Sequence, residues 1–307
     1  IAWAQPAWPT AKPISIIVPF SAGGSVDTTA RLLAEKLGER LKQSVVVDNV
    51  TGAGGTIGVA KAAQAAPDGY TLVMGADSPV AIAPYANPKA VRYDPARDLA
   101  PVGLVNTAPM VLVARPGLAA GNLPELVRLA KKEPGKLSYA TSGIGTVLHL
   151  AMGMIKQQGQ FFATHVPYRG GAQIATDVIG GQVDLAMLVS VSAAPQIQAG
   201  KLKAIAVTGA ERLAILPNVP TVAEAPGFKG FDVVTWSGLF APAGTPAPVL
   251  ERLNQELNAV LALPEVRARM QEQGARPGSG SAQGFGRFVE REQKRYAQAV
   301  KAAGIKE

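Results

Sequence analysis

Two stretches set glycine and hydroxyl residues where an apolar strand gives way to helix-forming sequence. The first is Phe20-Ser21-Ala22-Gly23-Gly24-Ser25-Val26-Asp27. Glycine lets the main chain approach a ligand closely, and the first N–H groups of a helix have no partner within it. Those donors, with the helix dipole, make an anion site. The same pattern also serves as an ordinary strand-to-helix turn, and the motif alone does not choose. The second stretch is Thr141-Ser142-Gly143-Ile144-Gly145-Thr146, with three hydroxyls and two glycines before a helix. Alone it reads as N-capping; paired with the first, it supplies a second helix start for one carboxylate. Ser25 is the expected N-cap of the first helix.

Other chemistries find little material. There is no cysteine, which removes disulfides, thiolate nucleophiles and sulfur-ligated zinc. The two histidines, His149 and His165, lack the i, i+4 spacing of a helical metal pair. Gly52-Ala53-Gly54-Gly55-Thr56-Ile57-Gly58 fails the dinucleotide pattern, because Ile57 holds its last glycine position. No lysine follows in the Walker position. Ser142 lacks the leading glycine of a nucleophile elbow, since Ala140 stands there. His149, seven residues downstream of Ser142, reads as a polar or packing residue on the same helix. No cofactor, metal or catalytic set is therefore expected. A nucleotide-dependent oxidoreductase using the Gly52 loop stays as the lesser alternative.

Further residues sit at junctions that could line a site. Tyr168-Arg169-Gly170-Gly171 ends a short strand; Tyr168 could stack on a ligand and Arg169 could pair with a carboxylate, although a solvated arginine is the commoner outcome. Asp184 could orient a neighbouring loop or accept from an ammonium. Trp236, before Ser237-Gly238, reads as core.

The elements that must position these loops alternate. Residues 14–18, 45–47 and 70–74 are short apolar strands separated by a helix over 26–41 and a short alanine-rich helix after Gly58. The middle repeats the style, with strands at 110–114, 137–140, 165–167, 183–187 and 202–207. Residues 246–301 are almost wholly helical, broken near Pro264 and around Gly274 to Gly280. Strand–helix alternation specifies an α/β fold with parallel sheets flanked by helices. With 307 residues, 48% of them hydrophobic, two lobes are expected. One takes residues 5–107 plus 232–307 and the other 108–231, with the ligand in the cleft between them. No internal repeat is evident.

The net charge is +8 and the isoelectric point about 9.7. Lys and Arg are scattered over expected helix faces, and aromatics are only 6%, poor material for stacking bases. A solvated basic surface is expected, not a nucleic-acid groove. No apolar run reaches the length of a membrane span. Ala2-Trp3-Ala4 before Gln5 fits a signal-peptidase site, so export to the periplasm is expected, with cleavage near Ala4.

Many ordered pieces then carry a resemblance. They include Ile17-Val18-Pro19-Phe20 with Ala22-Gly23-Gly24 and Asp27, Asn49 with Gly52-Ala53-Gly54-Gly55, and Pro67-Asp68-Gly69-Tyr70-Thr71-Leu72. Later come Ser142 to Thr146 with His149-Leu150, His165-Val166-Pro167-Tyr168, Pro217-Asn218-Val219-Pro220-Thr221 and Ala241 to Pro246. From Trp8 to Lys306 the chain resembles the Bug-type extracytoplasmic solute receptors of the tripartite tricarboxylate transporter family. The resemblance implies a two-lobe, type II-like periplasmic-binding fold and no enzymatic activity. It implies a small organic carboxylate, a di- or tricarboxylate or an aromatic one, held between Phe20–Asp27 and Thr141–Thr146 by backbone amides, hydroxyls and ordered water. It places Asp77, Ser78 and Tyr168 to Gly171 around the rest of the pocket, with His149, Asp184 and Leu188 nearby. A two-component membrane permease would be the partner of a monomeric receptor; a sensory receptor for a membrane kinase is the alternative. One departure matters. After Asp184 many relatives carry an aromatic and a second acid, whereas this chain has Leu185-Ala186-Met187-Leu188-Val189-Ser190. That wall weakens an amino-acid ligand and favours an apolar or aromatic carboxylate, while Asp77 argues the other way.

Overall fold

The computed structural model describes residues 8–303, so the Ala2–Gln5 stretch behind the export expectation lies outside the described residues. The chain opens with the expected alternation: β1 (Ile14–Val18), α1 (Ser25–Leu41), β2 (Val45–Asn49), α2 (Thr56–Ala63) and β3 (Thr71–Ala76). β1 pairs in parallel with both β2 and β3. Helices cover both faces of a parallel sheet, so β1 is apolar on both sides. Ile14, Ile16 and Val18 enter one core, and Ile17 enters another.

A short π-helical turn at Ser78–Ile82 follows β3, then the single-turn helices α3 (Ala83–Ala86) and α4 (Pro95–Asp98). β4 (Leu99–Ala114) is 16 residues long. Only its end, Met110–Ala114, reads as strand in the sequence. Pro101, Gly103 and Pro109 break the pattern, and irregularities at Pro101/Gly103 and Leu104/Asn106 let the strand absorb them.

The middle of the chain forms α5 (Leu123–Lys132), β5 (Ser138–Thr141), α6 (Val147–Gly159), β6 (Thr164–Pro167), α7 (Gly171–Ile179), β7 (Leu185–Val189), α8 (Ser190–Gln198) and β8 (Lys203–Val207). β5 pairs in parallel with β6 and β7. β9 (Val234–Pro242) then runs antiparallel between β3 and β4. The chain ends on α9 (Ala247–Ala262), α10 (Pro264–Glu272), the two-residue β10 (Arg276–Pro277) and α11 (Ala282–Ala303).

The strand order is β2-β1-β3-β9-β4-β7-β5-β6, with β8 and β10 also on β4. Two parallel triplets thus lie at the ends of a mixed sheet. β4 joins them: Leu99–Pro109 pairs with β9, and Met110–Ala114 pairs with β7 and β8. Trp236 on β9 is 1% exposed and meets Phe285 and Phe288 edge-on at 6.0 and 5.5 Å, as expected of a core indole.

Candidate functional site: a cleft at the helix starts

In open α/β sheets, ligands gather outside the carboxyl ends of the strands. Here the carboxyl ends of β1, β3, β5, β6 and β7 face one another across a shared cleft. The cleft holds a cavity of about 50 Å³. Gly24, Ser25 and Val26 reach it from the start of α1, and Val147 and Leu148 from the start of α6. Gly170 and Gly171 reach it from the start of α7, and Ser192 from the first turn of α8. Four helix N-termini therefore converge, each with donors that its own helix leaves unpaired.

The first loop is held from behind. Asp27 is 2% exposed and accepts from Gly23 N at 2.8 Å, Arg31 Nε at 3.0 Å and Asn49 Nδ2 at 2.9 Å. Burial alone would raise its pKa, but the bonds from Arg31, Gly23 and Asn49 prevail and hold it below the ordinary value. Its carboxylate is spent inside the loop, so Asp27 shapes the site and does not line it. Gly23 has φ 77°, a conformation that favours glycine. Gly24, not Ser25, is the N-cap of α1, and no side chain caps the helix. The Ser25 hydroxyl is thereby left for the cavity.

The second loop divides its hydroxyls. Thr146 caps α6, donating to Gly143 O at 2.8 Å and accepting from His149 N at 3.4 Å. Thr141 Oγ1 lies 2.7 Å from His165 Nε2. Only Ser142 of the three lines the cavity. Gly143 and Gly145 hold the turn at φ 126° and 71°.

Asp77 and Ser78 close the floor. Asp77 is fully buried and accepts from Ser78 N at 2.7 Å, Ser78 Oγ at 3.2 Å and Trp236 N at 3.3 Å, with the Thr235 hydroxyl also on it. Burial pushes its pKa up to about 6 against these donors. Ser78 Oγ in turn accepts from Val147 N at 3.1 Å, linking β3's end to the start of α6.

Several expected residues stand elsewhere. Ala22 is exposed, and Ser21 turns its buried Oγ toward Gly170 without a partner among the described residues. Tyr168 donates to Asp177 Oδ2 at 2.6 Å, which turns its ring away from the cavity. Arg169 is exposed, and its carbonyl, not its guanidinium, meets the first loop by accepting from Ser21 N at 3.4 Å. His149 stacks on His165 behind the second loop, centroids 4.2 Å apart. Asp184 sits at the amino end of β7, the wrong end for the cleft. It binds Arg115 Nε at 2.9 Å and Ser138 N at 2.9 Å, away from the cavity.

Phe20, Gly24, Ser25, Asp77, Ser78, Ser142, Gly170, Gly171 and Leu188 do line the cavity. Val26, Ala76, Val147, Leu148, Val189, Ser192 and Thr235 were missed. All but Thr235 stand at a strand's carboxyl end or in a helix's first turn, so the carboxyl-end rule was the available signal. A smaller chamber, about 20 Å³ by the same measure, opens beyond Ser25, Val26, Val189 and Thr235. There Ser237 Oγ donates to Asn106 Oδ1 at 2.8 Å.

A two-lobed sheet with a cavity at converging helix starts defines the class of solute-binding proteins. Residues 29–305 match the family described as the tripartite tricarboxylate transporter family receptor. The chain belongs to that family. It is similar to the periplasmic binding protein BugD, with 37% identity, TM-score 0.92 and coverage of 96% of this chain and 98% of that one. It is similar to Rpa4515 of R. palustris, solved with adipate, at 34% identity and TM-score 0.93 over 97% and 98% of the two chains. It is also similar to MatC of Rhodopseudomonas palustris, solved with bound malate, at 33% identity and TM-score 0.90 over 95% and 99%. No helix among the described residues is long and apolar enough to cross a membrane.

Proposed function

We propose that this protein is a periplasmic receptor that closes two lobes over a small organic carboxylate and presents the closed form to a membrane permease. The carrying observation is the convergence of the α1, α6, α7 and α8 starts on one cavity with Ser25 and Ser142 at its wall. Unpaired N–H groups and hydroxyls stabilise a carboxylate without a cationic side chain. The adipate- and malate-bound relatives support the ligand class. Among the described residues the lobes are 8–107 with 232–303 and 108–231, turning about β4.

Binding, not catalysis, fits the chemistry of the wall. Its hydroxyls belong to Ser25, Ser78, Ser142, Ser192 and Thr235, and no histidine lines it to serve as their base. Titration calorimetry of the ligand-stripped protein against mono-, di- and tricarboxylates tests the proposal. Saturable one-to-one binding of at least one acid is expected. If no carboxylate or related anion binds to the folded protein, the proposal fails.

A further inference from the structure

A receptor for polyanions has to place every charge. Among the described residues lining the two chambers none is Lys, Arg or His, and the one ionisable group is Asp77. Three basic side chains near the site are turned elsewhere. Arg31 pairs with Asp27 and Asn49 on the outer side of α1. Arg295, behind Asp77 on α11, pairs with Glu292 at 2.8 Å. Arg169 points to solvent.

One carboxylate has natural partners at the helix starts. With that carboxylate at the α1 and α6 starts, a second that does not reach the α7 and α8 starts lies against Phe20, Val26, Val147, Leu188 and Val189, which cannot solvate it, or against Asp77. Burying an unpaired charge is costly, and juxtaposing like charges is costly too. The smaller chamber is no refuge. Its polar edge, Asn106 with Thr29 and Ser237, carries no charged donor, and Asn106 and Ser237 already pair with each other at 2.8 Å.

We infer that the cleft selects a monocarboxylate with an apolar body, and that Asp77 is the residue that rejects a second carboxylate. This rests on the carboxylate reading above and narrows it. The adipate and malate of the two relatives are then ligands this cavity discriminates against. Asp77 is suited to the task because Ser78, Trp236 and Thr235 hold its carboxyl in place, so it cannot swing away from an incoming anion.

The test uses three pairs matched in shape: hexanoate with adipate, butyrate with succinate, and 4-methylbenzoate with terephthalate. Monomethyl adipate serves as a length control with one charge. Each is titrated by calorimetry into the stripped full-length protein at pH 8, where Asp77 is ionised. Within whichever pairs bind, the monoacid is expected to bind at least ~100-fold more tightly than the diacid, with the ester siding with the monoacid. In Asp77→Asn, checked for folding by near-UV circular dichroism, that ratio is expected to shrink to about tenfold or less. A diacid binding wild type as tightly as its monoacid partner overturns the inference and leaves the carboxylate reading standing. An unchanged ratio in a folded Asp77→Asn overturns the role of Asp77. Should that variant not fold, the wild-type ratios and the ester decide. If no acid of any kind binds, the carboxylate reading falls and takes this inference with it.

Discussion

Gly170 lies so close to Ser21 that a β-carbon built on it would stand 1.9 Å from the serine Oγ and 3.1 Å from its amide nitrogen. Its φ of 172° is extended backbone, so space and not strain demands the glycine. Gly170 is on the α7 side of the cleft and Ser21 on the α1 side, so the clash exists only when the cleft is shut. Gly170→Ala is therefore expected to leave the melting temperature of the unliganded protein unchanged. It should weaken ligand binding by about 5- to 150-fold, the equivalent of an overpacked contact. Ser21→Gly in the same chain removes the two nearest atoms and is expected to restore most of the affinity. Calorimetry on the two single variants and the double variant checks this; a double variant as weak as Gly170→Ala would refute the contact. At this scale the sequence was partly legible. It showed that Thr141, Ser142 and Thr146 all stand before a helix. It could not show that Thr146 would be spent capping α6 and Thr141 spent on His165, because those partners come from the turn geometry and from β6.

The start of α6 carries a second device behind the cavity. His149 and His165 stack at 4.2 Å, with Tyr139 beyond at 4.9 Å from His165 and Lys156 over the Tyr139 ring at 4.7 Å. Burial, with the Lys156 charge, lowers His149 to about 4. Burial, the His149 charge and Lys156 lower His165 to about 4. Each folded pKa lies below the ordinary 6.5, so the unfolded chain binds more protons between these values. The stability is complete above about pH 6.5 and is lost as the pH falls toward about 4. Asp77, raised to about 6, acts in the opposite sense, since its folded form takes up the proton first. A difference between variants isolates the histidines. His149→Gln is expected to lose less stability than wild type between pH 7 and pH 5, by about 2 kcal/mol. Urea unfolding at the two pH values measures it, and parallel losses would contradict the buried-pair account. Elements were the most legible scale where helix and strand alternate, as from β1 to β3 and from β5 to β7. They were least legible at β4 and β9. Proline and glycine in Leu99–Pro109 hide a strand that bulges make possible, and β9 is antiparallel, so it announces no βαβ unit.

At the scale of the whole molecule, the contacts across the cleft are those that the proposed closure would make. Val147 N donates to Ser78 Oγ, Ser21 N donates to Arg169 O, and a β-carbon on Gly143 would touch the Gly54 α-carbon at 3.4 Å. These are single hydrogen bonds and van der Waals contacts of modest net worth. A ligand bridging both sides adds differential free energy for the shut form, and only such energy can shift the population. One strand, β4, continues through the join, and β9 begins beside it, where Thr107 pairs with Trp236 and Pro109 with Val234. Proline at the crossing cannot donate to a ladder, which leaves the pair easier to bend there. Small-angle scattering should then give a larger radius of gyration for the stripped protein than for the ligand-saturated one. Ser78→Ala, which removes the acceptor for Val147 N, is expected to bind a few-fold more weakly through faster release. Gly170→Ala is expected to stay expanded at ligand concentrations that compact wild type. Identical scattering curves with and without saturating ligand would mean that the cleft does not open, and the ligand would then have to enter by another route.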